Sequence, residues 1–259
     1  MTAISETMLL AARKRLLKMH YESGVGHIGG NLSCLDAMLL VHHEYLGAQD
    51  RFILSKGHSA GALYVTLWSL GRLSDETLQK FHKDETLLAG HPPAAGIPEI
   101  RFATGSLGHG LSLAAGTALA LRMKKQSGNV YCLTSDGEWQ EGSTWEALIF
   151  ATHHGLDNLT ILVDHNRLQG FGSTSDVASM APLMDKISGF DLDVHYVNGH
   201  DLAEIRSVLE RPSRRCKVLV LDTIKGHGIK FMEDRMEWHY LPLKEDQYRE
   251  ALRDLDAVK

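Results

Sequence analysis

Val130-Tyr-Cys-Leu-Thr-Ser135, Leu159-Thr-Ile-Leu-Val163 and Lys217 to Ile224 are short, mostly apolar runs without a polar face. A strand that is apolar on both sides has to be covered on both sides, which is the condition of a parallel sheet. Between these runs lie stretches of helical periodicity, Glu141 to His154 closed by Gly155 and Asp201 to Glu210, with another strand over Asp193 to Val197. Regular strand–helix alternation gives the fold class: α/β, doubly wound, a three-layer α/β/α arrangement around a mainly parallel sheet.

The first half fits the same scheme less regularly. Ser5 to Tyr21 has apolar residues at helical spacing with Arg13, Lys14, Arg15 and Lys18 between them, and reads as a surface helix. A glycine-rich turn, Ser23 to Asn31, leads to a helix ending near Leu40. Arg51-Phe-Ile-Leu-Ser55 predicts a short strand, Ser59 to Leu70 a helix, and Ser74-Asp-Glu another helix start, since serine caps well and acids suit a first turn. Leu111 to Lys124 reads as a further helix, rich in Ala and Gly.

No linker, repeat or charge block divides the 259 residues, so one domain over 1–259 is expected. A formal charge of -5 with scattered basic residues argues against a nucleic-acid surface. Three isolated cysteines, Cys34, Cys132 and Cys216, form no CxxC pair, and Cys132 reads as a small core residue. With no signal-peptide core and no segment of membrane-spanning length, a reducing cytoplasm is the expected compartment.

Asp136 and Asn166 each stand just past the carboxyl end of an apolar strand, the edge at which open parallel sheets bind ligands. Neighbouring strands would bring the two oxygen donors together. Gly137, lacking a side chain, would let a diphosphate approach the backbone. Magnesium takes such a mixture of one or two protein oxygens, phosphate oxygens and water. Asp-Gly and Asn are also ordinary turn residues after a strand, and the pair alone leaves both readings open.

Most of the fifteen histidines have plain readings. His42, His43, His153 and His154 lie in helical patterns, and His20, His82, His195 and His200 have no motif around them. His27 in Gly-His-Ile-Gly-Gly, His58 in Ser-Lys-Gly-His and His91 in Gly-His-Pro differ, because they stand beside glycines on loops, where chemistry concentrates. An imidazole there can donate to a phosphate or carry a proton near neutral pH.

Ser135-Asp-Gly-Glu-Trp-Gln-Glu-Gly-Ser-Thr-Trp-Glu-Ala147 followed by Asp157 to Gln169 resembles the thiamine diphosphate motif of transketolases, Gly-Asp-Gly and then Asn. The resemblance runs on through Gly24 to Asn31, Leu54 to His58, Gly90-His-Pro92, Thr104 to Gly110, Lys225 to Glu233 and Glu237-Trp-His239, in the family's order along nearly the whole chain. It implies the family's thiamine-diphosphate-binding fold, and Mg2+ (or Ca2+ or Mn2+) held by Asp136, Asn166 and the carbonyl of Leu168. It further implies that His58, Gly105, Ser106, Leu107, Gly137 and Glu138 contact the cofactor. His27 and His91 would lie near the sugar hydroxyls and the reacting carbon, and Glu141 in a network between two active sites at a subunit interface. A last histidine of the family is His227 or His239, with His239 preferred.

In the family a glutamate of a second, pyrimidine-binding domain activates the cofactor, and the chain ends at Lys259, where the first domain ends. The resemblance therefore implies a separate pyrimidine-domain chain, a heterotetramer, and ketol transfer between sugar substrates only when both are present. Departures from the pattern are Ser135 for Gly, Ile28 for Pro, His109 for Gln and Tyr240 for Gly. None removes a metal ligand, but Ile28, His109 and Tyr240 are expected near the substrate or the cofactor rings, which suggests a specialised ketose. Rival readings are the cofactor-binding subunit of an α-keto acid dehydrogenase, a catalytically dead regulatory paralogue, and a zinc hydrolase, for which no HExxH spacing is present.

Overall fold

In the computed structural model, residues 3–257 are described. In chain order the elements are α1 (Glu6–Ser23), α2 (Ile28–Leu40), β1 (Arg51–Leu54), α3 (Ala60–Ser69), α4 (Asp75–Leu78), α5 (His109–Met123), β2 (Val130–Ser135), α6 (Gly142–His153) and β3 (Leu159–His165). There follow β4 (Leu168–Gln169), β5 (Gly172–Ser173), α7 (Thr174–Ala178), α8 (Leu183–Ser188), β6 (Asp193–Asn198), α9 (Leu202–Leu209), β7 (Lys217–Asp222) and α10 (Glu245–Ala257). The five main strands are parallel in the order β1-β2-β3-β7-β6, and β4 and β5 form a small antiparallel hairpin.

Register shows why the apolar runs had to be strands of one covered sheet. Leu54, Leu133, Leu162 and Leu219 are aligned across four strands and belong to one core, beneath α1, α2, α3, α9 and α10. One residue earlier, Ile53, Cys132, Ile161 and Val218 are aligned on the opposite face and belong to a second core with α5, α6 and α8. Each aliphatic side chain of these rows contributes about 1.5–3 kcal/mol by leaving water. Cys132 is the small core residue expected, fully buried.

Ser5 accepts from Met8 N–H as the N-cap of α1 (3.2 Å) and Ser74 from Thr77 N–H at α4 (3.2 Å), as their sequences imply. α1 is the amphipathic surface helix expected, with Glu6, Thr7, Ala11, Lys18 and Glu22 exposed. Its other face buries Ala12, Arg15, Leu16, Leu17, Met19 and His20, where α3 and α10, the latter unforeseen in the sequence, pack against it. α2 is buried at all thirteen positions. A helix enclosed on every side can carry polar residues only if each is paired, and Asn31 and Ser33 of α2 prove to be braces of the site.

Among the described residues, no helix is long and apolar enough to cross a membrane.

Candidate active site

Parallel pairing sets Ser135 beside Asp164, so Asp136 and Asn166 emerge together at the carboxyl edge of β2 and β3. Both are buried. The Arg167 amide donates to Asp136 Oδ2 (2.5 Å), and Arg167 takes a left-handed backbone (φ 64°) to do so. The Leu168 amide donates to Asn166 Oδ1 (3.1 Å). The amide nitrogen of Asn166 is spent on Asp164 (3.2 Å) and Ser33 (3.4 Å), which leaves its oxygen toward the Leu168 turn. Burial, and then the neighbouring charge of Asp164, push the Asp136 carboxyl up to about 7. A buried acid short of positive charge, an amide oxygen fixed by its own turn and a backbone carbonyl are hard oxygen donors, and they fit a divalent cation.

Under this pair lies a second acid with its own cation. The Lys56 ammonium meets the Asp164 carboxylate, both side chains fully buried. Asp164 also accepts from Ser33 Oγ (2.6 Å) and Thr223 Oγ1 (2.5 Å), and Lys56 donates to the Gly30 carbonyl (2.9 Å). Burial alone would raise the Asp164 carboxyl, but the ammonium and these hydrogen bonds hold it below its ordinary value.

The loop histidines converge. Ring centroids of His27 lie 5.6 Å from His58, 5.1 Å from His239 and 6.5 Å from His91, and His58 lies 5.6 Å from His239. Asn31 of α2 ties their loops, donating to the carbonyls of His27 (2.8 Å) and His58 (3.2 Å) and accepting from Ala62 N–H (2.7 Å). The His27 amide donates to the His239 carbonyl (3.1 Å). Burial, followed by neighbouring cations and imidazoles, lowers His27 to about 4 and His239 to about 3, and holds His58 well below its usual range. These imidazoles are neutral at neutral pH. Lys225, 2% exposed, donates to His239 Nδ1 (3.0 Å), and burial with the nearby Lys56 charge lowers its ammonium to about 8. It has no carboxylate partner among the described residues, so this corner is short of an anion.

Gly57 and Gly105 let two loops touch: a Cβ on Gly57 would come within 2.7 Å of the Gly105 nitrogen, and one on Gly105 (φ 150°) within 2.9 Å of the His91 ring. Gly105 thus borders His91. Glu138, expected as a cofactor contact, has a buried side chain. It accepts from Ser135 N–H (2.9 Å), Gly108 N–H (2.9 Å) and Ser55 Oγ, so its side chain welds the turn after β2 to the start of α5. Glu141 is exposed at the N-cap of α6. Ile28, expected near a ring of substrate or cofactor, is instead fully buried in the core. His109 is exposed on the first turn of α5.

His227 lies elsewhere. Its ring stacks on His200 at 3.5 Å, and His200 bridges Asp36 of α2 (3.0 Å) and the Ile224 amide (3.0 Å). Asp36 also holds Arg13 through both oxygens (2.7 Å each). The histidine at the cleft is His239. Sequence reading missed Lys56, Asp164 and Lys225 as members of the site. The signal available was Lys-Gly at two loops and an acid ending an otherwise apolar strand.

The fold agrees with solved transketolases: the enzyme of Campylobacter jejuni matches with a TM-score of 0.87 at 26% identity, over 98% of this chain and 43% of that one. The chain thus spans about two fifths of the length of that enzyme. Residues 22–256 match the family described as "Transketolase, thiamine diphosphate binding domain". The chain belongs to the transketolase family. Relatives of its own length include one of the subunits of the apulose-4-phosphate transketolase of Phocaeicola vulgatus, 37% identical over 94% of this chain and 90% of the relative. Another is the SqwG subunit of the 6-deoxy-6-sulfo-D-fructose transketolase of a Clostridium species, 34% identical over 94% of this chain and 93% of the relative. The family match sets aside the α-keto acid dehydrogenase and zinc hydrolase readings.

Proposed function

We propose that this chain, 1–259 as one unit, is the cofactor-binding subunit of a two-chain transketolase that moves a two-carbon ketol unit from a ketose to an aldose acceptor. Its partner is a separate pyrimidine-domain chain, in a cytoplasmic heterotetramer. The observation that carries the reading is the meeting of a buried, cation-deficient Asp136–Asn166 pair with an anion-deficient Lys225–histidine corner at one sheet edge. A magnesium diphosphate supplies both missing charges.

Asp136, Asn166 Oδ1 and the Leu168 carbonyl hold the magnesium. Gly137 gives the diphosphate room, and His58 and Lys225 donate to it. Gly105, Ser106 and Leu107 line the rings. When bound, thiamine diphosphate supplies the nucleophilic carbon and electron sink for carbon–carbon cleavage. His27, His91 and His239, neutral beforehand, orient the sugar hydroxyls and take or return the proton at the oxygen that changes between carbonyl and alcohol. Glu141 lies in the contact between copies and links two sites. The relatives named for apulose 4-phosphate and 6-deoxy-6-sulfo-D-fructose support a specialised ketose as donor.

The test is to purify the chain with and without its partner. Ketol transfer should require both chains, magnesium and thiamine diphosphate; robust transfer by this chain alone would overturn the two-chain reading.

A further inference from the structure

Tyr240 forms one wall of the histidine cleft. Its ring centroid lies 4.7 Å from His239 and 6.3 Å from His27, yet the residue is 53% exposed. A half-exposed phenol adds little to a core that Trp238 and Leu243 already anchor on either side. Two glycines make its place. A Cβ on Gly26 would come within 2.4 Å of the Tyr240 carbonyl oxygen, and a Cβ on Gly170 within 2.2 Å of the phenolic oxygen and 3.4 Å of His239 Nε2. The ring therefore reaches from the histidines to the β4–β5 hairpin, whose connection carries Phe171, 85% exposed. The transketolase pattern resembled in sequence has glycine at this position.

We propose that Tyr240 is a specificity-determining residue: its ring closes the hairpin side of the cleft and restricts how far the carbon chain of a ketose donor extends beyond its reacting carbonyl. This rests on the transketolase reading. Ile28 cannot play this part, being buried, and neither Gly170 nor Gly26 has a side chain to offer. The residue acts by bulk, so the restriction falls on long donors and spares short ones.

The assembled complex, loaded with magnesium and thiamine diphosphate, is assayed with hydroxypyruvate, xylulose 5-phosphate and fructose 6-phosphate, beside Tyr240→Gly and Tyr240→Phe. Cofactor affinity of each is measured by calorimetry. Tyr240→Gly should raise kcat/KM for fructose 6-phosphate relative to hydroxypyruvate by about tenfold or more, the scale on which shape discriminates in a pocket. Tyr240→Phe, which keeps the ring, should leave the ratio within about twofold of native. An unchanged ratio in Tyr240→Gly with cofactor affinity retained overturns the role of Tyr240 and leaves the transketolase reading standing. Failure of the native complex to bind the cofactor overturns that reading, and this inference with it.

Discussion

Lys56 and Asp164 form an ion pair with both side chains fully buried, and Asp164 also accepts from Asn166, the amide assigned to the metal. The pair connects the loop after β1, the end of β3, Ser33 of α2 and Thr223 after β7. Charges taken out of water repay the cost only when every lone pair is satisfied, and here Asp164 has four partner side chains. The sheet edge is thus fixed from below before any cofactor arrives.

Breaking that pair on one side leaves a buried ion uncompensated. Asp164→Asn and Lys56→Met should each lower unfolding free energy by about 3–5 kcal/mol in urea titration. The double variant Lys56→Met with Asp164→Leu should recover at least half of that loss. Additive losses in the double variant would show that the pair itself is not what stabilises the edge.

Lys225 presents the opposite case, a buried cation lowered to about 8 by burial and by Lys56. Its folded value is below the unfolded one, so between about 8 and 10.4 the unfolded chain binds more protons and stability rises with pH. Below that window the cost is constant. Lys225→Met should therefore stabilise the cofactor-free chain at pH 7 by about 1–3 kcal/mol, while weakening thiamine diphosphate binding. Urea midpoints at pH 7 and 10 check it: a native chain no more stable at pH 10 than at pH 7 would count against the argument.

The strands of the covered sheet were legible because period and continuity are local: Val130–Ser135 is read to the residue. Asp136 and Asn166 were legible because strand ends are. What the sequence hides is long-range. Lys56 is ordinary in Ser-Lys-Gly-His until Asp164 meets it from β3, and α10 matters only because α1 turns buried residues toward it. Ile28 misled because its place in a glycine-rich loop motif says nothing of burial; it is the first residue of a helix enclosed on all sides. Choosing between His227 and His239 needed the fold, since the stack on His200 depends on the loop after β6.

Acid should unfold the chain early. Burial lowers His20 and His42 to about 4, below their unfolded value, so the unfolded chain binds more protons as pH falls through 6.5 toward 4. Stability is complete above 6.5 and lost across that window, each histidine contributing up to about 3 kcal/mol. His20→Leu should flatten the profile between pH 7 and 5 in urea titrations; a slope equal to the native one would show that His20 does not titrate on unfolding.

Asp136→Asn separates the cation site from the scaffold. Asparagine keeps one oxygen, which can accept from Arg167 N–H and hold the turn over the strand ends, but gives up the second acceptor, which takes Gly137 N–H (2.9 Å). It removes a carboxyl that burial and Asp164 already hold at about 7, which offsets the lost Gly137 hydrogen bond, so the cofactor-free fold should stay close to native stability at pH 8. The charge that would meet magnesium is gone. Calorimetry should show thiamine diphosphate affinity falling at least about a hundredfold in the presence of magnesium, since losing a group that merely orients a metal ligand already costs roughly 10–100-fold. Glu138→Gln, two residues along, should behave in reverse. Its oxygens hold Ser135, Gly108 and Ser55, so that variant should unfold at lower urea while the folded fraction still binds the cofactor. Equal affinity in native and Asp136→Asn proteins would remove Asp136 from the metal site.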